Sequence, residues 1–437
     1  MEAILEICCG LDVHRDNIVA CITKGALNCK PTSEIRKFSA LQHGLKSLKE
    51  WLEKEDCHHV AMESTGVYWK PVYVALEDAF EGDIEILLVN AQKIKNVPGR
   101  KTDVKDSEWI ASLLRSGLLS GSFIPEKEVR ELRDLTRYRK SIVHEVSNQK
   151  NRIEKFLQSC GFKLSTFMSD VFGASGRLII NHLIDHGNVN VEELDSLIKG
   201  VLRKKQSDIA LAINGSLNEH ERSFLSMQMR HLLQMEENIE ELDNSIDKYL
   251  EKFKEAEETL DGIPGISKVA AAAIIAEIGI DMSKFPDPKH ICSWAGLSPG
   301  CNESAGKTKS TKTRHGNPYI KSILCEVAWT VTRRKGTYLS NWYWKVKQRR
   351  GTKKAIIGLA RKILVIIYTL LKENLSYDED KFTEIQVNHE KQREKKLTQK
   401  LYIEVVWENP KRVSRAFYCP KTRGRSYIRS KEEGGSN

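Results

Sequence analysis

The sequence is short of the features that staple or anchor a chain. It holds ten cysteines but no CxxC spacing, and Cys8 and Cys9 sit side by side in an apolar run. That pattern excludes the usual zinc clusters and a disulfide framework, and it suits a reducing compartment. Long apolar runs are missing too. The most apolar late stretch, AIIGLARKILVIIYTLL (355–371), is interrupted by Arg361 and Lys362 and falls short of a membrane span. Glu2 and Glu6 break any signal-peptide core near the start. These absences lead us to expect a soluble protein of the cytoplasm with no membrane partner.

Acidic residues are scarce in one segment. Residues 301–373 carry 17 Lys and Arg against Glu303, Glu326 and Glu373, a local net of +14; the whole chain carries +10, so the rest sums to −4. Trp329, Tyr338, Trp342, Tyr343 and Trp344 are interleaved with these cations. A basic surface mixed with aromatics fits a polyanion partner. The blander reading is a solvated basic face.

A chain of 437 residues is long enough for about two to four domains. Residues 1–125 read as mixed α/β. ILEICCGLDV, IVACIT and SEIRKFSA read as three strands, and the helix LQHGLKSLKEWLEKE and the strand HHVAMES follow. A helix through GVYWKPVYVALEDAF, the strand DIEILLVN and a last helix ending at Gly117 complete the order. Three antiparallel strands and then α-β-α-β-α is the order of an α/β ribonuclease H-like fold. Residues 126–258 read as a helical linker. Leu225, Leu232, Ile239, Ile246, Phe253 and Leu260 mark one heptad position, and Gln228, Met235, Leu242, Tyr249 and Ala256 the other. Leu135, Ile142, Val146, Ile153 and Phe156 offer a second seam, so the two helices can pair within one chain or across a dimer. Residues 259–375 read as mainly α. LDGIPGISKVAAAAIIAEIGI there resembles a helix-hairpin-helix, whose glycine turn can present N–H groups to phosphate. Residues 376–437 read as a polar, basic tail, of which KTRGRSYIRSKEEGGSN (421–437) is expected to be flexible when alone.

Two constellations carry chemistry. In VPGRKTDVKDSEWIASLLRSG (97–117), Asp103 and Asp106 stand three apart at a helix start, ringed by Arg100, Lys101 and Lys105. Capping and the helix dipole explain such carboxylates locally. Yet Asp12 sits in the apolar run CCGLDVH, where an unpaired carboxylate is costly to bury, and Glu63 ends a second apolar strand. A ribonuclease H-like sheet brings its first strand, fourth strand and last helix together at one end. There Asp12, Glu63, Asp103 and Asp106 would repel one another without cations, and two Mg²⁺ ions (or Mn²⁺) about 4 Å apart would satisfy them. The second constellation surrounds Ser304, followed by Lys307, Lys309, Lys312, Arg314 and His315. A serine hydroxyl needs its proton removed, and a phosphodiester target needs its charge neutralised. Spacing alone is a weak signal for catalysis and favours a plain phosphate-binding turn. Arg349, Arg350, Lys353 and Lys354 are further candidates for nucleic-acid contact.

The blocks GLDVHRDNIVACI, MESTGVYWKPV, VNAQKIKNVPGRKTDVKDSEWIASLLRSG and WAGLSPG…ESAGKTKSTKTRHGNPYIKSIL resemble, in order over roughly residues 5–370, the transposases of the insertion-sequence 110 family. The resemblance implies a RuvC-like N-terminal domain with an acidic quartet on Mg²⁺, a coiled-coil linker, and a C-terminal domain with a catalytic serine. By motif the quartet falls on Asp12, Glu63, Asp103 and Asp106, and the nucleophile on Ser304. It implies a bacterial DNA recombinase that moves an insertion element. Its partners would be donor and target DNA, an element-encoded guide (bridge) RNA, and further copies of itself in a dimer or tetramer. Ala305 departs from the family loop Ser-Gly-Gly-Lys, and an alanine would be strained there if the position needs positive φ. The rival readings are a Holliday-junction-type metal-dependent nuclease using activated water, and a non-catalytic nucleic-acid scaffold.

Overall fold

The computed structural model describes residues 3–64, 66–80, 83–90, 106–300, 302–304, 307–310 and 312–384, with 392 and 395. It divides into two compact units, Met1–Arg130 and Glu131–Asn437.

The first unit is built on a five-stranded sheet. Strands β1 (Ile7–Val13), β2 (Asn17–Lys24) and β3 (Thr32–Ser39) are followed by α1 (Gln42–Lys54), β4 (His59–Glu63), α2 (Trp69–Ala79), β5 (Glu85–Val89) and α3 (Asp106–Arg115). The sheet order is β3-β2-β1-β4-β5. β1, β2 and β3 pair antiparallel through short connections, whereas β4 and β5 run parallel to β1 after helical crossovers. This is the ribonuclease H-like order expected from the sequence.

Period-two alternation assigns the two faces. Cys9, Leu11 and Val13 of β1 join Val60 and Met62 of β4 in one core, with Leu45, Leu48, Trp51 and Leu52 of α1 and Val72 and Leu76 of α2. Cys8 and Ala61 face the other way and pack with Ile110, Leu113 and Leu114 of α3. The buried Arg115 guanidinium then ties the end of α3 to the sheet, donating to the carbonyls of Gly25 and Ala26 at 3.0 Å each.

The second unit is helical apart from one small hairpin. α4 (Lys127–Ser159) is followed by α5 (Ala174–His186), α6 (Val191–Leu197), α7 (Gln206–Ala212) and α8 (Glu219–Leu250). Then come α9 (Lys254–Asp261), α10 (Lys268–Ile278), α11 (Pro288–Trp294), β6 (Asn302–Ser304), β7 (Lys307–Ser310), α12 (Pro318–Arg333), α13 (Tyr338–Arg350) and α14 (Thr352–Glu373). α4 and α8 form an antiparallel pair. Phe156 meets the Phe224 ring, Gln149 donates to the Gln228 carbonyl, Arg139 pairs with Asp243, and the Tyr249 hydroxyl donates to Glu131. The seam expected from the heptads is thereby filled from within the chain: Ile142, Val146, Ile153, Leu225, Leu232 and Met235 share one buried cluster.

Two boundaries differ from the sequence reading. The heptad helix does not run to residue 260. It ends at Leu250 in a 3-10 turn (Glu251–Phe253), because Phe253 and Leu260 are buried where the chain turns toward the C-terminal helices. Residues just past 375 pack rather than trail. Glu379 accepts from the Tyr338 amide at the start of α13 and, at 2.7 Å, from the Tyr377 hydroxyl, while Phe382 stacks on both tyrosine rings. Among the described residues no helix is long and apolar enough to cross a membrane.

Candidate functional site

The acidic locus lies on the α3 face of the sheet. Asp12 follows Cys8 and Gly10 in the alternation of β1, and Glu63 follows Ala61 in that of β4, so both carboxylates share the α3 face. The register Leu11↔Met62 places them one step further along adjacent parallel strands. Gly10 brings the helix down. A Cβ there would lie 2.2 Å from the Ser107 carbonyl oxygen and 2.4 Å from the Ala111 nitrogen, so only glycine admits the α3 backbone this close. Asp106, the first residue of α3, is carried to the same end of the sheet.

The electrostatics of Asp12 register this meeting. Burial raises its pKa, and the charges of Asp106 and Glu63 raise it further, against the opposing pull of His14. The His14 Nε2 stands 3.1 Å from the Asp12 carboxylate. Asp106 also sits where a helix dipole favours an acid, so the local explanation and the convergence both hold. Asp103 lies outside the described residues, as do Arg100, Lys101 and Lys105. Among the described residues no three acidic, histidine or cysteine side chains already form a cradle for one ion. The donor chemistry nevertheless fits a hard divalent cation. Asp12, Glu63 and Asp106 offer oxygen only, and the half-buried Asp12 is surplus in negative charge.

The serine locus is in the second unit. Ser304 closes β6, its backbone paired with that of Lys307 in the β6–β7 register. Ala305 and Gly306 lie outside the described residues. The base of this hairpin is clamped. Arg314 donates through its amide to the Ser298 carbonyl at 3.3 Å and Gly300 to that of Lys312 at 2.9 Å. Below them Gly316 packs on Gly296, and a Cβ on Gly316 would lie 2.2 Å from the Gly296 nitrogen. Asn317 then caps α12, accepting from the amides of Tyr319 at 2.9 Å and Ile320 at 3.3 Å.

A buried ionic node holds Asn317 in turn. Its side-chain amide donates to Glu277 at 2.6 Å, and the Arg137 guanidinium donates to both Glu277 oxygens at 2.7 and 2.9 Å. Arg133 adds a hydrogen bond at 2.8 Å to the Glu277 carbonyl. Glu277 is 1% exposed, and Arg137 stacks over the Tyr319 ring at 3.9 Å. Sequence reading missed this residue. Its signal was present: a lone acid in AAAAIIAEIGI poses the same problem as Asp12 in CCGLDVH. A cleft of about 720 Å³ opens beside the node, lined in part by Arg139, Lys140 and Lys268. These cations are paired with Asp243, Glu326 and Asp247, so the cleft offers no net attraction for a polyanion.

The expected basic residues divide into two groups. Lys312, Arg314 and His315 are exposed along the irregular segment that follows the serine hairpin; the side chains of Lys307 and Lys309 are not described. Arg349 and Arg350 end α13, Lys353 and Lys354 begin α14, and Gly351 turns between them at φ +79°. Cations in the first turn of a helix oppose its dipole, a local cost that an anionic partner would offset.

Two family models match the chain. One described as "Transposase", of the DEDD type of insertion sequence 110, matches residues 9–162. One described as "Transposase IS116/IS110/IS902 family" matches residues 257–344. The two together cover more than half of the chain. Among curated proteins, the pilin gene-inverting protein of Moraxella bovis is 27% identical over 169 residues, 37% of this chain and 51% of that protein. The transposase for insertion sequence element IS1111A of Coxiella burnetii is 27% identical over 150 residues, 33% of this chain and 41% of that protein. The chain spans about half the length of the curated relatives it matches. The Thermus thermophilus RuvC structure aligns at 16% identity over 26% of this chain and 99% of that one, with a TM-score of 0.20.

Proposed function

The chain belongs to the insertion-sequence 110 family of transposases, and from that premise we propose that it is a recombinase that cuts and rejoins DNA to move an insertion element. Asp12, Glu63, Asp103 and Asp106 would hold Mg²⁺, with Mn²⁺ a substitute. A divalent cation held there would neutralise phosphate charge and polarise the attacking oxygen. Ser304 is the nucleophile. Its Oγ bonds to phosphorus as one P–O ester bond of the DNA breaks, the serine proton leaves to a base, and the departing sugar oxygen takes up a proton. The strand stays joined to Ser304 as a phosphodiester, and attack by another DNA hydroxyl reverses the exchange. Lys312, Arg314 and His315 would screen the phosphate. A guide RNA would read donor and target by base pairing, leaving the protein to hold shape and backbone. Assembly into a dimer or tetramer would bring the acidic locus of one subunit to the serine of another. The helix-hairpin-helix-like α9–α10 turn, with Gly265 at φ +92° and Ser267 capping α10, would hold a phosphate.

The convergence of Asp12, Glu63 and Asp106 on one sheet end carries this reading, because a fold seldom gathers carboxylates without a cation to bind. The test is denaturing electrophoresis of labelled DNA incubated with protein, Mg²⁺ and the RNA that copurifies with it. Wild type should yield a protein-linked DNA band whose peptide map ends on Ser304. Ser304→Ala should lose both band and cleavage while keeping nucleic-acid affinity. Nicking by Ser304→Ala at the wild-type rate would make water the nucleophile and overturn the proposal in favour of a nuclease.

A further inference from the structure

Of the five aromatic residues interleaved with the basic segment, most are spoken for. Tyr343 is 1% exposed, and Tyr338 and Trp342 lie under Lys362, whose Nζ is 4.7 and 5.6 Å from their ring centres. Trp344 differs. It keeps 45% of its surface exposed in the middle of α13. Its indole is set by two neighbours: Tyr343 edge-on at 5.3 Å, and Lys347 Nζ 4.2 Å from the ring centre.

Helical spacing makes Trp344 part of one stripe. Asn341, Trp344, Lys345 and Gln348 lie at i, i+3, i+4 and i+7, all exposed, with Leu339 and Tyr343 buried on the opposite side. The helix is held rigidly beneath that stripe. Thr337 caps its first turn, Glu379 accepts from the Tyr338 amide, and Gly351 ends it. No acidic residue occurs between Glu326 and Glu373, so every formal charge carried by α13 itself is positive, and Glu379 meets the helix only at its first residue.

We propose that the outer face of α13 is a base-stacking platform for single-stranded nucleic acid, with Trp344 as the stacking residue. The inference rests on the reading of this segment as a nucleic-acid surface and says which form it takes. Cations alone would hold any duplex by its phosphates, and they need no exposed indole. An indole gains by lying on a base face, and base faces are free only where bases are unpaired. Asn341 and Gln348, one turn to either side, carry amides suited to the edge of a base stacked on Trp344. Lys345 and Arg349 lie where a backbone would pass.

The test uses the full chain with two labelled probes, an unstructured single strand carrying 2-aminopurine and a blunt duplex of the same length. Trp344→Ala should weaken single-strand binding about 5- to 150-fold. It should leave the salt dependence and the duplex affinity unchanged, because no charge is lost. The quenching of 2-aminopurine seen with wild type should disappear, and Trp344→Phe should restore part of it. Equal losses on both probes, or wild-type single-strand affinity in Trp344→Ala, would overturn the proposal. A melt of each variant guards against misfolding; should Trp344→Ala unfold, Trp344→Phe against Trp344→Leu decides the same question. Failure here is separable from failure of the recombinase reading. Cleavage by Ser304→Ala strikes the nucleophile and leaves the stacking result standing.

Discussion

The acidic locus and the serine locus are positioned by different physics. Asp12 and Glu63 are placed by strand alternation and a parallel register, and α3 is seated by one missing side chain at Gly10. The serine hairpin stands on a base held by a charged node, in which Arg137, Glu277 and Asn317 are joined across 140 and 40 residues of chain. A rigid sheet fixes its functional groups through backbone geometry. A helical unit with one small hairpin must do so through side chains. The first kind of site should tolerate changes of charge and resist changes of volume, and the second the reverse.

The largest effect is expected in the α4–α8 seam. Ile239 is partly buried against the cluster that fills the seam, and Ile246, two turns on in α8, is buried beside the cleft. Replacing both with Asp puts two unpaired carboxylates into an apolar interface, at about 3–5 kcal/mol or more. Urea melts should show the second unit lost. A variant that melts like wild type but has a smaller mass by light scattering would mean that the seam joins subunits instead.

Glu277→Ala comes next. It leaves the partly exposed Arg137 guanidinium without its bidentate partner and the Asn317 amide without its acceptor, costing about 1–3 kcal/mol. Glu277→Gln keeps an acceptor and should cost less. Among folded molecules, adduct formation by Glu277→Gln should slow more than DNA binding weakens, if the node steadies Asn317 and the hairpin base. Parallel losses would reduce the node to a stabilising element. In the first unit Gly10→Ala tests the opposite sensitivity. The new methyl meets backbone atoms that no rotamer change can move, so we expect a loss of about 1–3 kcal/mol and a displaced α3. Thermal melting and metal titration should both shift. A neutral Gly10→Ala would show that α3 is not seated by this contact.

The same contrast explains what could be read in the sequence. The sheet order, Asp12 and Glu63 follow from period-two patterns and from carboxylates stranded in apolar runs, rules that act over a few residues. The pairing of Leu225, Leu232 and Met235 with α4 was legible as a seam, but heptads do not say whether the partner helix belongs to the same chain. The stop at Leu250 was hidden, since Phe253 and Leu260 keep the heptad while changing what they pack against. The Glu277 node was illegible as a contact: it needs Arg137 and Asn317 brought together by the fold. Asp103, Ala305 and Gly306 belong to the sequence reading, and their geometry lies outside the described residues.

The smallest effect concerns acid. Asp287 caps α11, accepting from the amides of Lys289 at 2.7 Å and His290 at 2.8 Å, and Asp281 accepts from the Ser283 amide at 2.9 Å. Hydrogen bonds from His290 to Asp287, and from Ser283 to Asp281, hold both carboxyls below the usual carboxylate range. Asp12 in the first unit is shifted the other way. A carboxyl whose folded pKa is lowered binds its proton less readily when folded. Its stabilisation is therefore complete above the ordinary carboxylate pKa and fades as the pH falls through the lowered value. Asparagine is an equally good cap but has no charge to titrate. The double variant Asp281→Asn/Asp287→Asn should thus fold normally, melt slightly lower than wild type near neutral pH, and converge with it in acid. Calorimetry from neutral to strongly acidic pH reads the difference directly. If the gap between variant and wild type stays constant with pH, these caps act through hydrogen bonding alone and their charge contributes nothing to the second unit.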